Sequence, residues 1–196
     1  MGSDRRGGRI YPESEVRPIS FDAFPTVHTL ALRGSLKRPA GDLGALEAAG
    51  LIRREPDGFT LTDSGHRLHR TLSEQERATL DLGLLAIVSE PLPDAWRRVK
   101  TLEPRWNGSD AAERRRLIRD LVAIVEEVQP TLRRCANVAP RFGDYIARLR
   151  EAERRLLDGQ LEYAFEPAVE SIATVWRELH EDFLQTLGYA QESESI

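Results

Sequence analysis

Ala45-Leu46-Glu47-Ala48-Ala49-Gly50-Leu51-Ile52-Arg53-Arg54-Glu55-Pro56-Asp57-Gly58-Phe59-Thr60-Leu61-Thr62-Asp63-Ser64-Gly65 compresses three structural transitions into one short stretch. Alanine and leucine favour a helix, which a glycine ends. Leu51–Glu55 and Phe59–Leu61 then read as two strands turning through Pro-Asp-Gly. Thr62-Asp63-Ser64 has the chemistry of a helix amino terminus. Two strands this short cannot stand alone, so they must lean on neighbouring helices.

Upstream, Val27, Leu30, Ala31 and Leu36 share one side of a helix predicted over 26–36. A second predicted helix runs from Pro39, a residue suited to the first turn, to Gly50. Residues 1–20, rich in Gly, Ser, Arg, Glu and Pro, read as a flexible tail, as do residues 189–196.

Downstream the pattern is helical almost to the end. Leu80, Leu82, Leu84, Leu85, Ile87 and Val88 form a run apolar nearly all round, which predicts a central buried helix, with Gly83 admitting a close neighbour. Trp96, Val99 and Leu102 predict a short helix ending before Pro104. Asp110 and Glu113 have capping-box spacing ahead of Leu117, Leu121, Ile124 and Val128, and Pro130 should kink or restart that helix. Phe142, Tyr145, Ile146, Leu149 and Leu156 define the next, closed by Gly159. A last helix spans about 167–187, capped by Gly188. The expected fold is mainly α. A small winged-helix-like unit with a two-stranded wing (21–72) precedes an antiparallel helical bundle (73–188).

Composition narrows the function classes. The chain has 196 residues, 40% hydrophobic and 31% charged, as a soluble globular protein does. No apolar run approaches the roughly 20 residues of a membrane span, and one cysteine, Cys135, leaves no intrachain disulfide. A cytoplasmic location is expected. Residues 1–72 carry 11 Lys+Arg against 9 Asp+Glu, and the remainder carries 17 against 23. The amino-terminal part is therefore mildly basic and the rest acidic.

Two segments, His28-Thr29-Leu30-Ala31-Leu32-Arg33-Gly34 and Val175-Trp176-Arg177-Glu178-Leu179-His180-Glu181-Asp182-Phe183-Leu184-Gln185-Thr186-Leu187-Gly188, frame most of the chain. With Leu46–Ile52 and Leu61–Gly65, they make it resemble actinobacterial two-part proteins in which a MarR-like winged helix precedes an acidic helical domain. The resemblance implies a dimeric, DNA-binding transcriptional regulator with an effector site in its helical domain. Lys37, Arg38, Arg53 and Arg54 would be its phosphate contacts.

The helix-turn-helix is shortened. Between Leu36 and Pro39 there is no room for the helix that crosses the DNA backbone. The reading helix, 39–49, contains no Arg, Lys, Asn or Gln, the side chains that chiefly read base edges. The alternative is a degenerate winged helix that has left DNA and acts through its helical domain. It would bind a small molecule, or serve as an enzyme or an enzyme's accessory in a biosynthetic pathway. Trp96, Trp106, Tyr145, Trp176 and His180 are the pocket candidates, because aromatic walls with few polar groups suit a small-molecule site.

Other constellations favour plainer readings. His66 and His69 share a helix face but lack further ligands, so no metal or cofactor is expected. His180 falls in an apolar stripe with Ile172, Trp176 and Leu184, the usual setting of a core histidine. The arginines around Trp96 and Trp106, with Arg114, Arg115, Arg116 and Arg119, read as a solvated face paired with Glu113 and Asp120. Arg133 and Arg134 would favour a Cys135 thiolate if close in space. No phosphate loop, nucleotide fingerprint or hydrolase motif is present, and a non-enzymatic regulator is favoured.

Overall fold

The computed structural model describes residues 23–36, 43–56 and 58–189. Its amino-terminal unit begins with α1 (Phe24–Arg33), which starts earlier than the apolar spacing suggests because Pro25 sits in its first turn. Gly34, at φ 74°, ends it, so Leu36 is extended rather than helical. Leu36 exchanges two backbone hydrogen bonds with Phe59 (3.0 and 2.8 Å), adding one rung to the wing. A short α2 (Leu43–Ala48) follows, and its expected start at Pro39 lies outside the described residues.

Gly50 reverses the chain at φ 68° into β1 (Ile52–Glu55), which pairs antiparallel with β2 (Gly58–Leu61). Ile52 lies opposite Leu61, so alternate side chains put Ile52, Phe59 and Leu61 inward against Val27, Leu30 and Leu46. The two strands thus belong to a small core built mainly by helices. Thr62 caps α3 (Asp63–Arg77), accepting from Gly65 N–H at 3.1 Å while its hydroxyl donates to Gly50 O at 2.6 Å. α3 runs through the expected boundary at 72/73, so one continuous helix links the two parts.

The bundle comprises α4 (Leu82–Ser89), α5 (Leu92–Trp106), α6 (Ala111–Val138), α7 (Phe142–Leu157), α8 (Glu162–Phe165) and α9 (Ile172–Leu187). α6 is its axis. Leu117, Leu121, Val125, Leu132 and Cys135 repeat at three- and four-residue multiples and are fully buried against α4, α5 and α7. α9 packs on α5 and α7, and also on α1 and α3 of the amino-terminal unit. Its ends follow sequence chemistry, with Ser171 accepting from Thr174 N–H and Gly188 left-handed at φ 78°.

Several sequence expectations are corrected. The 80–88 run is not a central buried helix: Leu84 is 45% and Ile87 73% exposed, because the short α4 lies on the bundle's flank. Gly83 admits no neighbouring helix, since the nearest group to a Cβ there is Asp81's own carboxylate. α5 continues through Pro104, and α6 runs unbroken through Pro130. Both prolines are on exposed faces, where water can serve the carbonyls they leave unbonded at Lys100 and Glu126. Pro167 precedes α9 by several residues, and the intervening turn carries α8's chain back to the Ser171 cap. Asp110 caps α6 through Ala112 and Glu113 N–H, both at 2.8 Å, but Glu113's carboxylate turns to Arg105 instead of closing the box.

Candidate functional site

The exposed side of the amino-terminal unit is formed by α2 and the wing. In α2, Leu46 points inward, leaving Gly44, Ala45, Glu47 and Ala48 on the outer surface. Small side chains and one carboxylate give base edges no side-chain donor. On β1 both arginines are exposed, Arg53 65% and Arg54 70% in their side chains, and as neighbours on a strand they leave it on opposite faces. Arg53 Nε pairs with Glu55 at 2.6 Å, while Arg54 stacks over Phe59 and lies 4.0 Å from Glu47. Lys37 and Arg38 lie outside the described residues.

The densest polar chemistry is buried where this unit meets the bundle. The buried face of α9 is apolar except on one row, where Thr174, Glu178, Asp182 and Thr186 follow at four-residue intervals. Asp182, fully buried, collects partners from α1 and from the start of α7. His28 of α1 places Nε2 at 3.1 Å from Oδ1. Arg141, just before α7, places Nη2 at 2.8 Å, and the Tyr145 hydroxyl donates to Oδ2 at 3.0 Å. Arg141 also bonds Glu76 of α3 and Thr186. One turn earlier, Glu178 binds Arg33 of α1 and Arg148 of α7, and both arginines also reach Glu170.

A second histidine extends this chain. His28 Nδ1 and His69 Nε2 are 2.9 Å apart, with the Ser73 hydroxyl 3.2 Å from the same His69 nitrogen. The rings of His28 and His69 pack around Phe24. Burial, reinforced by His28, lowers the His69 pKa to about 4. Burial alone would raise the Asp182 pKa, yet the His28 ring and the Arg141 guanidinium beside it hold it well below the usual carboxylate range. The charged groups of the cluster are ion-paired with one another, as a structural clamp between helices requires.

A third feature lies in the bundle. Trp176, Leu179, His180, Phe183 and Leu187 of α9, with Ala86 of α4 and Leu92 and Pro93 of α5, line an apolar groove of about 160 Å³. His180 is half-buried rather than a core residue, and its ring stacks on Trp96 at 5.7 Å. Trp176 is 1% exposed, and its Nε1 has no hydrogen-bond acceptor among the described residues. Leaving a buried N–H unpaired costs about 1–3 kcal/mol.

The five aromatic candidates therefore do not form one pocket. Trp176 and His180 share the groove, and Trp96 supports it from behind. Trp106 sits apart, packed on Phe165 at 5.4 Å beneath Arg114, and Tyr145 belongs to the Asp182 cluster. Arg97, Arg98 and Arg105 are paired with Asp94, Glu127 and Glu113, as a solvated face requires. Cys135 is buried and its pKa is pushed up to about 11 by burial, so Arg134 does not make it a thiolate. Among the described residues no group of three or more His, Cys, Asp or Glu is placed to hold a metal ion, and no helix is long and apolar enough to cross a membrane.

Sequence reasoning quoted His28, Glu178 and Asp182 but assigned them no role, and it passed over Arg141. The available signal was acids at 178 and 182 on a helix whose other inward positions carry no charge. Comparison with family models, curated proteins and solved structures finds no match for this chain.

Proposed function

We propose that the protein is a MarR-like, two-part transcriptional regulator that holds DNA through backbone phosphates rather than through base edges. The observation that carries this reading is the wing. Two exposed arginines stand on opposite faces of a hairpin beside α2, whose described outer surface bears no Arg, Lys, Asn or Gln. Glu55 and Glu47 offset part of that charge, so affinity is modest and falls steeply with salt. Two copies of the chain present two wings to one duplex. The buried ion pairs between α1 and α9 hold each wing at a fixed angle to its bundle, so a ligand in the bundle can change how the wings meet DNA.

Fluorescence anisotropy with random duplex across a salt series tests this. Salt-sensitive binding that Arg53→Ala with Arg54→Ala weakens supports the proposal. The acidic partners of both wing arginines also favour a second reading, in which the winged unit has left DNA and braces a ligand-binding bundle. Folded protein that binds no duplex at low salt establishes that second reading instead.

A further inference from the structure

An arginine drawn partly out of water ordinarily meets a carboxylate there. Arg77, in the last turn of α3, is half-buried, and its side chain makes no hydrogen bond or ion pair among the described residues. Its guanidinium lies against the end of α9, where a Cβ on Gly188 would overlap Nη2. That helix end does not satisfy it, because the Leu184 and Gln185 carbonyls already accept Tyr189 and Gly188 N–H. Nε is sealed from solvent without an acceptor, which leaves Nη1 and Nη2 as the donors a guest can reach.

Arg77 lines a cavity of about 650 Å³ between α3 and α9, at the junction of the winged unit and the bundle. Ligand sites favour such junctions. Some of its polar lining is already committed. Ser73 and His28 both bond His69, and Glu181 accepts from the Gln185 amide at 2.9 Å. Glu74 is exposed, lies one turn before Arg77, and makes no ion pair among the described residues. Arg70 and His66 continue the same row of α3, about 10 and 16 Å from Arg77 along the axis. Tyr189, 60% exposed, adds an aromatic face.

Both signs of charge therefore line the cavity. A simple anion drawn to Arg77 would also meet Glu74 and Glu181, and a simple cation would meet the arginines. A guest carrying a carboxylate and an ammonium close together escapes both conflicts. Side chains three residues apart on a helix are about 5–6 Å from one another, which suits those two groups on one small molecule.

We propose that this cavity binds a small zwitterion of the amino-acid class, its carboxylate bonded by Nη1 and Nη2 of Arg77 and its ammonium by Glu74. The planar guanidinium takes a carboxylate through two parallel bonds. The guest's side chain extends towards Arg70 and His66. As a binding site it stands without DNA; as a regulator's effector site it rests on the function proposed above.

Saturation-transfer NMR of the full chain with each of the twenty protein amino acids, in the absence of DNA, identifies those that bind. Titration then compares the tightest with its carboxamide and with its deaminated acid. Each analogue is expected to bind on the order of tenfold more weakly. Arg77→Met keeps the apolar stem and should bind the amino acid no better than the native chain binds the carboxamide. Glu74→Gln, at an exposed position, should lower affinity to that of the deaminated acid. Binding by none of the twenty, equal affinity for the amino acid and either analogue, or full affinity in folded Arg77→Met overturns the proposal. Where Arg77→Met fails to fold, Glu74→Gln and the two native comparisons decide. DNA takes no part, so this failure is distinct from failure of the regulator reading.

Discussion

His28 Nε2 lies 3.1 Å from Asp182 Oδ1, with both side chains at or below a tenth exposed. The two residues come from the two segments whose pattern gives the chain its family resemblance. Arg33 and Glu178, one turn away on the same two helices, repeat the connection. His28, Arg33, Glu178 and Asp182 therefore form the joint between the winged unit and the bundle. This accounts for their polar character without any catalytic task.

Asp182→Asn is the sharpest probe of that joint. The amide keeps the shape but leaves Arg141 and its neighbours with one carboxylate fewer in a buried site. Breaking a buried pair in this way destabilises by about 3–5 kcal/mol. Chemical denaturation should show an unfolding free energy lowered by that amount, read from a lower midpoint at unchanged slope. An unchanged midpoint would mean the cluster is wet and its charges are screened.

Gly65 answers a different question, how the wing is seated. A Cβ at position 65 would overlap the Leu51 carbonyl oxygen, which already accepts Thr62 N–H at 3.0 Å. The first turn of α3 is thus pressed against the strand entry, and backbone cannot yield as a side-chain tip can. Gly65→Ala should destabilise by about 1–3 kcal/mol, although alanine favours helix. A rise in thermal midpoint would show that the strand entry relaxes freely.

How much of this was legible follows the range of each signal. The wing was readable because Gly50, Pro56-Asp57-Gly58 and the Thr62 cap act within a few residues of themselves. Helices α6, α7 and α9 were readable from apolar spacing over several turns. The exposure of Ile87 was not, because an apolar run states that a face avoids water and not which neighbours remain to cover it. The clamp was hidden for another reason: His28, Arg141 and Asp182 are adjacent only after α1, α7 and α9 have packed. Tyr145 and Trp176 were picked out as aromatic, yet packing assigns one to an ion cluster and the other to a groove.

Ile87 supplies a test of assembly. It is 73% exposed and Leu84 45%, on a helix of sequence LGLLAIVS with no charged residue. If two copies join through this face, Ile87→Glu places two buried carboxylates in the interface. Sedimentation should then give the mass of a single chain for the variant and twice that mass for the native protein. Equal masses for the two proteins would place any dimer contact elsewhere.

Acid should loosen the joint in two stages. The first concerns His69, whose folded pKa is lowered from 6.5 to about 4 by burial and by His28, helped by His66 and Arg141 and opposed by Asp182. Between those values the unfolded chain takes up a proton that the folded chain refuses, so stability falls as pH drops from 6.5 towards 4. The bond between His28 Nδ1 and His69 Nε2 requires one accepting nitrogen, so it survives only while at least one ring stays neutral. Allowing for solvent screening, this stage amounts to about 2 kcal/mol. The second stage belongs to Asp182, whose folded pKa is depressed by His28 and Arg141. Its contribution is complete above the unfolded carboxylate value of about 4 and is lost below it. Denaturation series between pH 7 and pH 3 should show a two-step decline, and His69→Gln should remove the upper step while leaving the lower one. Stability that is flat from pH 6.5 to 4 in the native protein would place His69 in water rather than in the joint.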